Sequence, residues 1–179
     1  ATPFAVGAMC RIFGFPPSDA DRIKAWSSSF FRMFHSIPDR ETLLGMNVDM
    51  GAFRVYIRNA VASRQGTADD DLVSMLMRAA SGTLDQDALV DNVMLLVADA
   101  IENVWAGIAS ALMILIEHHS EAESYLAAGG SWNSLIDECL RLESPGQYQS
   151  RIATEPLDIG GTTLNKYSVV LVGLAAANR

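Results

Sequence analysis

The chain has 179 residues, of which 50% are apolar, 19% charged and 8% aromatic. That balance suits a globular domain with a sizeable core and excludes disorder, collagen-like repeats and low-complexity architectures. Acidic residues outnumber basic ones 21 to 13, giving a formal charge of -8. With no Lys/Arg cluster to offset it, that charge argues against nucleic acid and anionic membranes as partners, since both are bound chiefly through Lys and Arg.

In chain order, a short apolar helix is expected from Phe4 to Phe13, stopped by Gly14 and the Pro16-Pro17 pair. Ser18 and Asp19 offer N-cap chemistry for a helix through Arg22, Ile23, Trp26, Phe30 and Phe34, and Pro38 breaks it. A third helix is expected from near Glu41 to Ser63, closed by Gly66, and a fourth starts at Thr67 to Asp70 and stops at Gly82. Thr83 and Gln86 have capping-box spacing ahead of the longest helix, Leu84 to about His118. Its charge-free stretch, Asn103 to Ile116, is too short to span a bilayer. Gly129-Gly130 closes a short helix and Ser131 caps another through Trp132, Leu135, Ile136 and Leu140. Beyond Pro145, Gln149 to Ala153, Leu157 to Ile159 and Ser168 to Val172 have β character and predict a small sheet. The whole, residues 1–179, reads as one mainly α domain.

Several readings compete for the polar residues. On the long helix, Asn92, Asp99, Glu102, Asn103, Ala106, Ser110 and Glu117 share one stripe at 100° per residue. The stripe is either a solvated face or the lining of a ligand cavity centred on Glu102 and Asn103. Partial desolvation of Glu102 would raise its pKa and suit it to acid–base work, with Asp99 or Asn103 orienting substrate. Ala98, Ala106 and Ser110 are the candidate pocket residues. Phe30, Phe31, Met33 and Phe34 are core or a pocket lid. His35, His118 and His119 lack metal-ligand spacing, so no metal site is expected. Cys10 and Cys139 are expected as free thiols in a reducing, cytoplasmic setting; the first apolar stretch, broken by Arg11, has no signal-peptide character.

These residues also carry a resemblance. Leu95 to Val104 resembles the long central helix of the cytochrome P-450 superfamily in its soluble bacterial form, with Glu102 at the acid position, Ala100 where Gly is usual and Asn103 where Thr is usual. Glu138-Cys139-Leu140-Arg141 is similar to the family's E-x-x-R helix, followed by Leu142-Glu143-Ser144-Pro145, Arg151-Ile152-Ala153-Thr154-Glu155 and Ile159-Gly160-Gly161 in the family's order. Ala175 to Arg179 resembles its A-A-N-R-D segment, and Ile12 to Asp19 its L-x-G-x-P-x-x-D junction, while Tyr167 replaces a Gly usual in a strand turn.

The resemblance implies a partial, truncated cytochrome P-450-like helical fold with a small C-terminal β-sheet. It places Arg151 at a haem-propionate position and makes Glu138 and Arg141 a structural pair. The family's thiolate comes from a Gly-rich loop further on, and neither Cys10 nor Cys139 takes that place. On this reading no cofactor is expected unless another chain supplies the missing parts. The chain is then not a self-sufficient monooxygenase. It acts by binding a small molecule or a partner enzyme in secondary metabolism; the alternatives are a non-redox enzyme using Glu102, or one part of a haem monooxygenase. Uncovered apolar surface predicts a homo-oligomer or partner on Trp105, Ala106, Ile108, Ala109, Leu112 and Met113.

Overall fold

The computed structural model describes residues 2–34, 37–67 and 69–179. Five helices come first: α1 (Thr2–Phe13), α2 (Ala20–Phe31), α3 (Arg40–Ala62), α4 (Leu72–Ala80) and α5 (Gln86–Glu117). After α6 (His119–Ala127) and α7 (Trp132–Leu142) come β1 (Gln149–Ile152), β2 (Leu157–Ile159), β3 (Thr162–Leu164), β4 (Val169–Val172) and the short α8 (Leu174–Ala177). The mainly α architecture with a small C-terminal β region is as the sequence implies. The chain divides into two compact units, Ala1–Trp105 and Ala106–Arg179, and the division falls within α5.

Side-chain caps explain half of the α-helix starts, though not always with the residues the sequence suggests. Asp39 accepts from the Thr42 N–H (2.8 Å), Asp71 from that of Ser74 (2.8 Å) and Ser131 from that of Ser134 (3.1 Å), each satisfying a first-turn donor. Two expectations are corrected. Asp19 makes no capping bond at α2; its carboxylate instead accepts from the Tyr56 hydroxyl (2.9 Å) and pairs with Arg22 (3.0 Å). At α5 the cap is Asp85, which accepts from the Ala88 N–H (2.7 Å), while the Thr83 hydroxyl donates to the Ala80 carbonyl.

In the first unit, Val6, Cys10 and Phe13 of α1, Ile23 and Trp26 of α2, Phe53, Ile57 and Val61 of α3, Val73 of α4 and Val90, Val93, Val97 and Ile101 of α5 make one core. Trp26 stacks on Phe53 with ring centroids 5.4 Å apart. Phe30 and Phe31 pack against this core, whereas Met33 and Phe34 are exposed. Arg64 forms a nearly buried ion pair with Asp71 (2.9 Å) and also donates to the Gly14 and Phe13 carbonyls, so it ties the ends of α1 and α3 to the start of α4. Gly14 is needed there on two counts: its φ is +73°, and a β-carbon would lie 2.4 Å from the Asp71 carboxylate.

The second unit is thinner. Its small core is Ala111, Ile114 and Cys139, with Leu115, Ile136 and Leu142 packed against it. β1 pairs antiparallel with β4, Arg151 opposite Val170, and β2 pairs antiparallel with β3, Asp158 opposite Thr163. The expected single sheet is thus two separate two-stranded ladders.

At the turn before β4, Tyr167 has φ of +68° and donates its N–H to the Ala153 carbonyl (2.7 Å). It is the only non-glycine with positive φ among the described residues. A side chain in the left-handed region costs about 1–2 kcal/mol. Tyr167→Gly removes that strain and is expected to stabilise the chain by roughly 1 kcal/mol, net of glycine's larger unfolded-state freedom. Denaturant unfolding checks this, and a loss of stability would contradict it.

Candidate functional site

The polar stripe of α5 lies on its less buried side. Asn92, Asp99, Asn103 and Glu117 are exposed, Glu102, Ala106 and Ser110 are partly buried, and Leu95 (51% exposed) and Leu96 (43%) flank Asp99. Ala98 is fully buried in the first unit's core. It therefore does not present itself to a ligand, which corrects its place among the candidate pocket residues.

Glu102 is held from every side. Its Oε1 accepts from Lys24 Nζ of α2 (2.6 Å) and from the Ser28 hydroxyl (3.1 Å), and its Oε2 accepts from the Trp105 indole N–H (2.8 Å). Lys24 also donates to Ser28 (2.7 Å) and lies 5.6 Å from the Trp105 ring centre. Burial alone would push the Glu102 carboxyl up. Hydrogen bonds from Lys24 and Trp105, the Lys24 charge and the Ser28 hydroxyl outweigh it, so the carboxyl sits below its ordinary 4.5. The expectation of a raised pKa is corrected: desolvation was legible on an apolar helix, but the distant cation at position 24 was not.

Asp99 and Asn103 pair with each other instead of with Glu102. The Asn103 amide donates to the Asp99 side chain (2.9 Å) and to its backbone carbonyl (3.0 Å). The structure therefore does not assemble the three candidate catalytic residues into one hydrogen-bonded set among the described residues.

In the second unit Arg141 embraces Glu138 with two bonds, Nε at 2.7 Å and Nη2 at 2.6 Å, and its remaining nitrogen donates to the Asn178 carbonyl. Arg179 answers with an ion pair to Glu143 (2.6 Å). The pair thus fastens the end of α7 to the residues after α8, contacts that no sequence spacing announces. His118 and His119 are exposed, no metal-holding cluster occurs among the described residues, and His35 lies outside them. The charge-free stretch of α5 is short, yet α5 as a whole, Gln86–Glu117, is long and apolar enough to cross a membrane by length and composition, which widens that earlier reading.

No protein-family model matches the chain. Curated relatives do. The chain is 26% identical over 180 residues to the biotin biosynthesis cytochrome P-450 of Bacillus subtilis, covering all of this chain and 46% of that protein. It is 27% identical over 184 residues to the 6-deoxyerythronolide B hydroxylase of Saccharopolyspora erythraea, covering all of this chain and 44% of that one. Among solved structures it superposes on P450BioI in complex with hexadec-9Z-enoic acid ligated acyl carrier protein, with a TM-score of 0.87 and 26% identity over 99% of this chain and 46% of that one. The chain spans under half the length of the relatives it matches.

Haem, which such a fold implies, meets only part of what it needs in these residues. Arg151 is exposed and makes no ion pair among the described residues, so its guanidinium is open to a carboxylate such as a propionate. Neither cysteine suits the iron. Cys10 and Cys139 are each 1% exposed; burial and a neighbouring carboxylate (Asp19 and Glu138 respectively) push both thiols up, against thiolate formation. The fit is therefore incomplete.

Lys24→Met leaves the part-buried carboxylate with only neutral donors and is expected to cost about 1–3 kcal/mol near neutral pH. Because the folded pKa of Glu102 is lowered, its stabilisation is complete above 4.5 and is lost as pH falls through the lower folded value. The gap between wild type and variant should therefore narrow below 4.5 in denaturant unfolding. A gap that widens on acidification would contradict this.

Proposed function

We propose that this chain, which belongs to the cytochrome P-450 superfamily, acts through binding: its own residues hold a small, mostly apolar molecule or a partner enzyme in a biosynthetic setting and do not themselves activate oxygen. The observation that carries this reading is the immobilised Glu102. A carboxylate engaged by Lys24, Ser28 and Trp105 is fixed in place and held in its ionised form, with its pKa lowered. Asn103, bonded back to Asp99, has an amide in place of a relay hydroxyl. The same engagement counts against a non-redox acid–base role, since a base with a lowered pKa is weak at neutral pH.

Exposed Leu95 and Leu96 beside the Asp99–Asn103 pair give α5 an apolar surface with one polar handle in the first unit. The half-exposed Leu112 and Met113 support the expectation of a second copy or partner protein on that part of the helix. Support for a biosynthetic role comes from relatives named as a biotin biosynthesis cytochrome P-450 and a 6-deoxyerythronolide B hydroxylase. Similarity to crystallised bacterial cytochromes P-450 supports a soluble, cytoplasmic protein.

A second reading has its own observation. Exposed Arg151, with no ion pair among the described residues, together with similarity along the whole chain to cytochromes P-450 of twice its span, favours a haem monooxygenase of which this chain is one part.

Isolating the chain from its source cells together with whatever it associates with, adding haem, then reducing the complex under carbon monoxide separates the two. The binding reading predicts no absorption shift of the thiolate-ligated kind. Such a shift would overturn it and establish monooxygenase-type ligation.

A further inference from the structure

In the second unit, the end of α5, α6 and α7 line an open-mouthed cavity of about 350 Å³. That volume lies within the range of small-molecule sites. Its wall follows from helical spacing. α7 sends Leu135, Cys139 and Leu142 to one face at intervals of four and three residues, and α5 meets them with Ile114 and Leu115. Cys139 and Ile114 are buried, so the floor is formed without the ligand.

Tyr125 of α6 makes the side wall, and its position is set by the glycine turn that follows. A β-carbon at Gly130 would lie 2.3 Å from the Tyr125 ring, so the ring rests directly on the Gly130 backbone, whose N–H donates to the Tyr125 carbonyl (3.0 Å).

The charged side chains at the mouth are mainly acidic. Glu121 and Glu138 line the cavity with His118, and no Lys or Arg does. Glu138 is neutralised by its two bonds to Arg141. Glu121 forms no ion pair with a Lys or Arg among the described residues; its own backbone N–H, the Ser120 hydroxyl (2.9 Å) and the nearby His118 hold the carboxyl below the ordinary range. An apolar molecule carrying a carboxylate would face that anion, whereas one carrying an ammonium group would be attracted by it and by the Tyr125 ring face.

We propose that this cavity binds a small apolar amine, its hydrocarbon body among Ile114, Leu115, Leu135 and Leu142 and its ammonium group at Glu121 beside Tyr125. The site is separate from Glu102 and Arg151, so it stands or falls independently of the function proposed above.

The test titrates the chain with 4-phenylbutylamine and with 4-phenylbutyrate, following backbone amide NMR shifts of α6 and α7. Saturable binding of the amine, several-fold tighter than the acid, is expected. Glu121→Gln, an exposed position, should remove most of that preference, and Leu135→Trp should fill the cavity and abolish binding of both. The bound amine should also slow alkylation of Cys139 by N-ethylmaleimide while leaving Cys10, in the other unit, unchanged. Absence of saturable binding, equal affinity for the two probes, or a preference for the acid would overturn the proposal. Should Leu135→Trp fail to fold, the Glu121→Gln comparison and the alkylation rates decide it.

Discussion

A carboxylate midway along an apolar helix must either ionise against a partner or stay protonated, and in α5 the Lys24 ammonium decides the matter. With side-chain exposures of 17% for Glu102 and 24% for Lys24, each ion alone would bear a substantial desolvation penalty. Placed 2.6 Å apart and supplemented by Ser28 and Trp105, they offset one another and fix α2 against α5. Ser29 makes a parallel bond from α2 to Asp49 of α3 (2.7 Å). The second helix is thus held by polar contacts on one side and by Ile23 and Trp26 in the core on another. The residue that resemblance would make a proton conduit has become a tether between helices.

Local signals in the sequence were enough for the helices because their punctuation is local. Gly14, Gly66, Gly82 and Gly129 all adopt positive φ, and each stands where the sequence predicts an ending. Cap identity was harder. Thr83 and Asp85 both have N-cap chemistry, and a shift of two residues in the start of α5 hands the role to Asp85. Neither β3 nor α8 is anticipated from the sequence. The two separate ladders also escaped notice, since strand pairing is a long-range choice that short runs do not encode.

Legibility of the site split along the same line. The α5 stripe was visible as a helical pattern, and it is indeed the less buried side of that helix. Its chemistry was not, because the direction of Glu102's pKa depends on a residue 78 positions away. The same holds for Arg141. Its pairing with Glu138 could be read from i,i+3 spacing, but its bond to the Asn178 carbonyl joins segments that nothing in the sequence links. Tyr167 is the opposite case, where a departure from the family's glycine is matched by a left-handed φ of +68°. The family resemblance, carried by several ordered motifs, supplied what single-residue reasoning could not.

The central claim is that Glu102 is a fixed anion serving structure and binding, not an acid poised for proton transfer. The most direct measurement is a carbon-13 NMR titration of its side-chain carboxylate in the folded chain. A midpoint below 4.5 is predicted, with the carboxylate ionised throughout the neutral range. A midpoint above that value, moving toward neutrality, would contradict the account and return Glu102 to the role of general acid or base.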